Sequence, residues 1–442
     1  MKSQQFLRFL NHASFLIETE QSILLVDPWF SGRAFNNGWS LLDETIKDEE
    51  IIGYLKSSGK KIYIWYSHEH SDHLSFKFLK KILSYDLDYK ILFHKTKDKR
   101  VLNSLINKGF NIFEHNDGKE YVLDDLLSIV TWTYSDYVDS YCLINVNKFF
   151  ILNINDCVFN NKEFTEDLNA KTKLFTNNID ILFTQFGYAN WISNKEEFEL
   201  RKKKADEKNK RIQIQNQILN PDAIIPFASF IYFCHHDNFF NNDYQNIPYN
   251  LRKSSYLRDF QDKIFFMKPN DKFYINKQFK DFLKQTSYES EKFWDNAFKS
   301  VKPLDISEKT FTIKEIFSSF KKYKLKTSLS LLFLPQILEV LGFIKPIKVY
   351  VSDLEKYIQI SWIKSSVLNC DSSDALIFIK SSSLLFTLTN DFGIDCLSIN
   401  GRFYENEVEG LFLFERFLIF QKLLQRGISI LKPRIYLKTI LS

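Results

Sequence analysis

Tyr66-Ser67-His68-Glu69-His70-Ser71-Asp72-His73-Leu74 places three of the chain's eight histidines and an aspartate within six residues, in the pattern H-x-H-x-D-H. The run before it, Lys61 to Tyr66, is β-branched and aromatic, as a buried strand requires. The run after it, Leu74 to Leu83, spaces Phe76, Leu79 and Leu83 as a helix does. The histidines therefore fall on a strand-to-helix loop, where side chains converge. Imidazole and carboxylate at this density predict a binuclear metal site.

Working outward, the 442 residues predict two or three domains, and 45% hydrophobic with 16% aromatic residues supply a large core. The net charge of +5 is mild for this length and does not indicate nucleic-acid binding. The densest basic run, Arg201-Lys202-Lys203-Lys204 continuing to Lys210 and Arg211, is mixed with acids. It is expected to be a solvated helix face, with phosphate binding the lesser alternative. Five scattered cysteines without a CxxC pair predict reduced thiols and an intracellular protein. No basic-apolar-small leader opens the chain, and Leu329 to Ile344 is too short and polar to span a bilayer. A cytoplasmic location is the expectation.

Several further residues stand at strand ends. Asp27 follows the apolar run Ser22–Val26, either as a turn residue before Pro28 or at a site-bearing sheet edge. An aromatic, glycine-punctuated loop from Trp29 to Trp39 either walls a pocket, offering Arg33 to an anion, or packs on the surface. Tyr141–Val146 and Phe149–Ile154 form a hairpin about Asn147-Lys148, and its second strand ends in Asn155-Asp156-Cys157. Ile179–Phe183 runs into Gln185, Tyr188 and Trp191. Lys195–Leu219 is a long charged helix, and a later strand leads to Cys234-His235-His236. Every histidine lies at or before residue 236, so metal chemistry belongs to the first half. Past Phe311 the character changes: Cys396–Ile399 reads as a strand and Glu409–Gln425 as one deeply apolar helix.

Asp27, the His68–His73 motif, Asp156 and His235 follow the order of the metallo-β-lactamase superfamily. Asp27-Pro28-Trp29 with Gly38-Trp39, Asp139-Ser140 and Pro226-Phe227-Ala228-Ser229-Phe230 make the chain resemble the CMP-N-acetylneuraminate hydroxylase branch more closely. The resemblance implies an α/β fold, an αββα four-layer sandwich over residues 1–300, with a smaller C-terminal α+β domain over 305–442. That smaller domain is weakly similar to lipid-carrier domains; an accessory role in oligomerisation or capping is preferred. The resemblance also implies ligand roles. His68 and His70 hold one metal, Asp72, His73 and His235 (or His236) the second, and Asp156 bridges. Where the superfamily has a third histidine this chain offers Asp139 or Asp136, and Asp139 is favoured. Asp27 and His12 are expected behind the ligands, His12 alternatively as a core histidine, and His94 and His115 are expected to be structural.

The implied cofactors are two divalent ions. The extra carboxylate shifts preference from zinc toward iron or manganese. The leading function is water activation against a phosphodiester, lactone or sugar-linked substrate, with Asp72 and Asp156 in the catalytic roles. The substrate is an anionic or glycan- or lipid-linked small molecule, held by Trp29, Arg33, Trp39, Gln185, Tyr188 and Trp191. The runner-up is an iron oxygenase acting on a nucleotide sugar. No two Cys-x-His pairs exist here for a Rieske cluster, so that cluster would sit on a redox partner. A non-catalytic binding relative is the third alternative, and a homo-oligomer is an open expectation.

Overall fold

The computed structural model describes residues 5–96, 98–134, 139–368 and 374–429. Asp136 and Cys370 lie outside the described residues. The first strands are β1 (Phe6–Asn11), β2 (Ser14–Glu18), β3 (Ser22–Val26), β4 (Trp39–Leu41), β5 (Lys61–Trp65), β6 (Tyr89–His94) and β7 (Ile112–His115). They are followed by β8 (Glu120–Val122), β9 (Leu127–Tyr134), β10 (Asp139–Val146), β11 (Phe149–Asn153), β12 (Ile181–Gln185) and β13 (Ala223–Phe227). Short strands β14 (Ile231–Phe233) and β15 (Lys272–Tyr274) complete this part.

One sheet runs β15-β1-β2-β3-β5-β6-β7 and the other β13-β12-β11-β10-β9-β8. In the first, β3, β5, β6 and β7 are parallel, so helices must carry the chain back between them. Asp48–Ser58, Phe76–Ile82 and Arg100–Ile106 do so. Strand alternation then sorts the side chains. Phe15, Ile17, Leu24, Val26, Tyr63 and Trp65 face the second sheet. Leu16, Ile23, Leu25, Ile62 and Ile64 face those helices. Between the sheets Phe15 stacks on Phe183 at 4.6 Å. Helices Lys162–Lys173 and Phe198–Leu219 cover the far side through Leu168 and Ile212. The order helix, sheet, sheet, helix is the expected αββα sandwich.

The C-terminal region has its own core, from Ile316 to Phe420, over a five-stranded sheet. Two expectations fail there. Cys396–Ile399 belongs to a helix, Gly393–Asn400, because Ile394 and Leu397 pack at helical spacing into that core. Gly401, at φ +63°, ends it in the left-handed turn that glycine favours. The apolar stretch after Glu409 is two helices, Gly410–Phe417 and Ile419–Gln425, broken at Leu418. In the first half, Arg201 and Arg211 are buried rather than solvated. Each caps backbone carbonyls beside the helix, Arg201 those of Asn194 and Lys195 and Arg211 that of Gln185.

The two cores meet at the Phe35–Trp39 loop. Asn400 Nδ2 donates to the Phe35 carbonyl at 3.1 Å, and Arg402 Nη1 to that of Asn36 at 2.8 Å. Asn238 Nδ2 donates to the Asn400 carbonyl at 2.6 Å. A Cβ on Gly38 would stand 2.3 Å from the Asn400 Cβ, so this close approach requires glycine. Gly38→Ala should destabilise the protein by about 1–3 kcal/mol, read as a lower Tm. An unchanged Tm would show that the two parts are not docked here.

Candidate metal centre

The site is assembled at the ends of β1, β3, β5, β10 and β11. Asp27, directly after β3, is buried and adopts φ +38°. Its Oδ1 accepts the Ser67 N–H at 2.8 Å and its Oδ2 the Ser67 hydroxyl at 2.7 Å. Oδ2 also accepts from Asn155 Nδ2 and lies 3.0 Å from His73 Nδ1. One carboxylate thus joins the loops after β3, β5 and β11. By accepting a hydrogen bond from the Nδ1–H of His73 it leaves Nε2 to face inward, as metal-binding histidines are commonly held.

His73 Nε2 makes no hydrogen bond, and lies 3.3 Å from Asp72 Oδ2 and 3.4 Å from Asp156 Oδ2. His68 is fixed by Ser67 Oγ at 2.9 Å from its Nδ1, and its Nε2 lies 2.8 Å from His70 Nδ1. Asp139 Oδ1 and Asp156 Oδ2 each stand 3.9 Å from His68 Nε2. Gln185 Nε2 donates to Asp156 Oδ1 at 3.0 Å, and Lys208 Nζ in turn to Gln185 Oε1 at 2.8 Å. His12 Nε2 is 3.4 Å from Asp72 Oδ2. Among the described residues, ligand atoms converge in two groups: His68, His70 and Asp156, and His12, Asp72 and His73.

The donor set fits metal ions. Buried His12 Nδ1 and Nε2, Asp72 Oδ1, His73 Nε2 and Asp139 Oδ1 have no hydrogen-bond partner. Buried polar atoms are rarely left so, and here they lie in or beside the two ligand groups. Electrostatics prepare the ligands unequally. Burial, helped by the neighbouring His73, pushes His68 down to about 4, so its lone pair is free at neutral pH. Burial likewise lowers His70. Burial works against a charged His73, but Asp72, Asp156 and Asp27 outweigh it and raise His73 well above the ordinary range. Asp156 falls to about 2 against the cost of burial, chiefly through His73.

Residues 6–204 match the model of the beta-lactamase superfamily domain. That part of the chain is similar to the beta-lactamase superfamily domain. Over 89 residues, 20% of this chain, it is 36% identical to the cytidine monophosphate-N-acetylneuraminic acid hydroxylase of Xenopus laevis, spanning 14% of that protein. Over 74 residues, 17% of this chain, it is 38% identical to the Cricetulus griseus hydroxylase, spanning 12% of that protein. The chain thus matches only a small share of these relatives' length. CmlA, a diiron beta-hydroxylase from Streptomyces venezuelae, superposes with TM-score 0.41 at 13% identity, over 62% of this chain and 55% of its own. A superposition that loose says nothing about this chain's chemistry.

In the structure the expected residues divide. His68, His70, Asp72, His73, Asp139 and Asp156 are brought together, and Asp27 stands behind them. His235 is not brought to them: its Nε2 faces Arg402 Nη2 at 3.2 Å and its Nδ1 faces Asp237 Oδ2 at 3.2 Å. His236 lies against Asp305 at the surface. His12 occupies the place expected of His235. Its signal in the sequence was only Asn11-His12 in the tight turn between two apolar strands. His94 and His115 pair across β6 and β7, and His115 bonds Thr131. Of the expected pocket wall, Gln185 reaches Asp156 directly. Trp29 meets the His12 ring edge-on at 5.6 Å. Trp39 meets Phe35 edge-on inside the loop, and Phe35 itself contacts His70. Arg33 is exposed, the Tyr188 hydroxyl is committed to the Asn241 carbonyl, and Trp191 packs on Phe403. Sequence reading missed Asn155, Lys208 and Arg211, which are unremarkable in type and placed only by the fold.

Two outcomes follow from this geometry. Asp27→Ala should cost about 3 kcal/mol in urea unfolding and weaken metal binding about 10–100-fold. Metal uptake at neutral pH should release a proton, because His73 is protonated without metal whereas His68 is already neutral. Calorimetry in buffers of different ionisation enthalpy should then give buffer-dependent heats; buffer-independent heats would contradict the His73 assignment.

Proposed function

We propose that this chain is a metal-dependent hydrolase with a binuclear centre. His68, His70 and Asp139 would hold one ion, His12, Asp72 and His73 the other, and Asp156 would lie between. The observation that carries the reading is the pair of adjacent ligand groups, with Asp156 Oδ2 within 3.4 Å of His73 Nε2 and 3.9 Å of His68 Nε2. Bound metal lowers the pKa of water and polarises a carbonyl or phosphoryl oxygen.

The chain's own residues supply the rest. Asp27 keeps His73 in the tautomer that points Nε2 inward. Gln185, braced by Lys208, holds the Asp156 carboxylate by one oxygen and leaves the other toward the cluster. Asp72, whose Oδ1 has no hydrogen-bond partner, is placed to orient a water and accept its proton. Lys208 stands behind Asp156 through Gln185. The substrates that fit the proposed reaction are a phosphodiester, a lactone or a sugar-linked ester.

A second reading, an iron-dependent oxygenase drawing electrons from a separate redox partner, is favoured by one observation: Asp139 makes the donor set carboxylate-rich. The hydroxylase names of the matched relatives support it only over the short stretch they share.

Elemental analysis after purification without added metal separates these. Two zinc ions per chain with turnover on phosphodiester or lactone panels supports hydrolysis. Iron whose absorbance changes on reduction and exposure to oxygen supports the oxygenase. Less than one ion per chain removes the binuclear proposal. His12→Gln should lower the content toward one ion, whereas His235→Gln should leave two. The opposite pattern would return His235 to the ligand set. Asp156→Asn should reduce turnover at least about a hundredfold.

A further inference from the structure

The C-terminal helices carry an apolar face that no described residue covers. Nine of the residues from Leu325 to Phe343 are large, apolar and exposed, the longest such run in the described chain. On helix Ile313–Ser330, Leu325 and Leu329 lie one turn apart on one side, and Leu332 is exposed just past the helix end. Helix Leu334–Val340 buries only Pro335 and leaves Ile337 and Val340 outside. Val340 is 73% exposed and Phe343 62%. Between the two helices Leu332 and Phe333 adopt φ +53° and +58°, a left-handed turn unusual for bulky side chains. The strain presents apolar groups to the outside, the reverse of what core packing rewards.

The surroundings of the face are basic. Helical spacing puts Lys321 and Lys322 on the same stripe one turn before Leu325, and Lys345 follows Phe343 by two residues. From Lys321 to Lys345 the chain has five lysines and one acid, Glu339. The Glu339 carboxylate is turned away, accepting the Ser361 hydroxyl at 2.6 Å and the Trp362 N–H at 2.7 Å. Beside the face lies a cavity of about 360 Å³, with Leu376, Leu413 and Phe417 among its walls and Lys345 and Arg416 among its cations. No helix of the described residues is long and apolar enough to cross a membrane.

We propose that this face docks on an anionic phospholipid bilayer, its apolar side chains seated at the headgroup boundary and Lys321, Lys322 and Lys345 among the phosphates. Short apolar elements rimmed by lysine bind in this way, and the lysine stems let the charge stay in the headgroup layer. A second copy fits less well, because a two-fold contact on this face would bring the lysine rims together. The inference is independent of the metal centre.

The test is co-sedimentation of the full chain with vesicles of phosphatidylcholine alone or mixed with phosphatidylglycerol. The expected result is binding to the mixed vesicles, about tenfold or more above the neutral ones, and weakened by salt. Phe333→Asp with Ile337→Asp, both at exposed positions, should abolish it with an unchanged circular dichroism spectrum. Lys321→Glu with Lys322→Glu should lose the preference for the anionic lipid. Failure to bind either vesicle, or binding that the Phe333→Asp, Ile337→Asp pair leaves intact, would overturn the proposal. So would concentration-dependent self-association that the same pair abolishes in the absence of vesicle binding.

Discussion

One buried carboxylate organises this molecule. Asp27 accepts hydrogen bonds from Ser67 and Asn155 and faces His73 Nδ1, so loops from three strand ends are fixed relative to one another. The cost of burying its charge is offset by this set of donors, delivered by the loops after β5 and β11, one strand from each sheet. Remove it, and His68, His73 and Asp156 lose the common reference that brings their donor atoms within about 4 Å. The positive φ at Asp27 is held by the same bonds.

A second constraint reaches the cluster from the other side. Phe35 contacts His70 with its ring, and Phe35 and Asn36 are held through their carbonyls by Asn400 and Arg402. Arg402 is buried, and its Nη2 also meets Glu308, His235 and Asp237. His235 therefore stands in a network joining the two cores. The C-terminal region shapes the loop above the candidate metal ligands instead of lying apart from them. Gly38 makes that approach sterically open.

Much of this was legible in the sequence. Continuous apolar runs such as Ser22–Val26 and Lys61–Trp65 specify strands buried on both faces, and H-x-H-x-D-H marks the candidate ligand loop. Asp27 and Asp156 were visible as acids after buried strands. The choice between His12 and His235 was not legible. Both are histidines next to apolar strands, and only the packing of Arg402 and Glu308 on His235 separates them. The buried guanidinium groups of Arg201 and Arg211 were hidden for a related reason: local charge suggests solvent, while the carbonyls that satisfy them, those of Asn194 and Lys195 before the helix and of Gln185 on β12, are brought to them only by the fold. The helix Gly393–Asn400 was mistaken for a strand because a run as short as Cys396–Ile399 has no distinguishing period.

The most direct test of the central claim is a crystal structure of metal-loaded protein with anomalous difference maps collected at the absorption edge of the bound element. Two peaks flanking the Asp156 carboxylate are predicted, one beside His68 and His70 and the other beside Asp72, His73 and His12, with His235 still against Arg402. A single peak, or a second one coordinated by His235 in place of His12, would contradict the account.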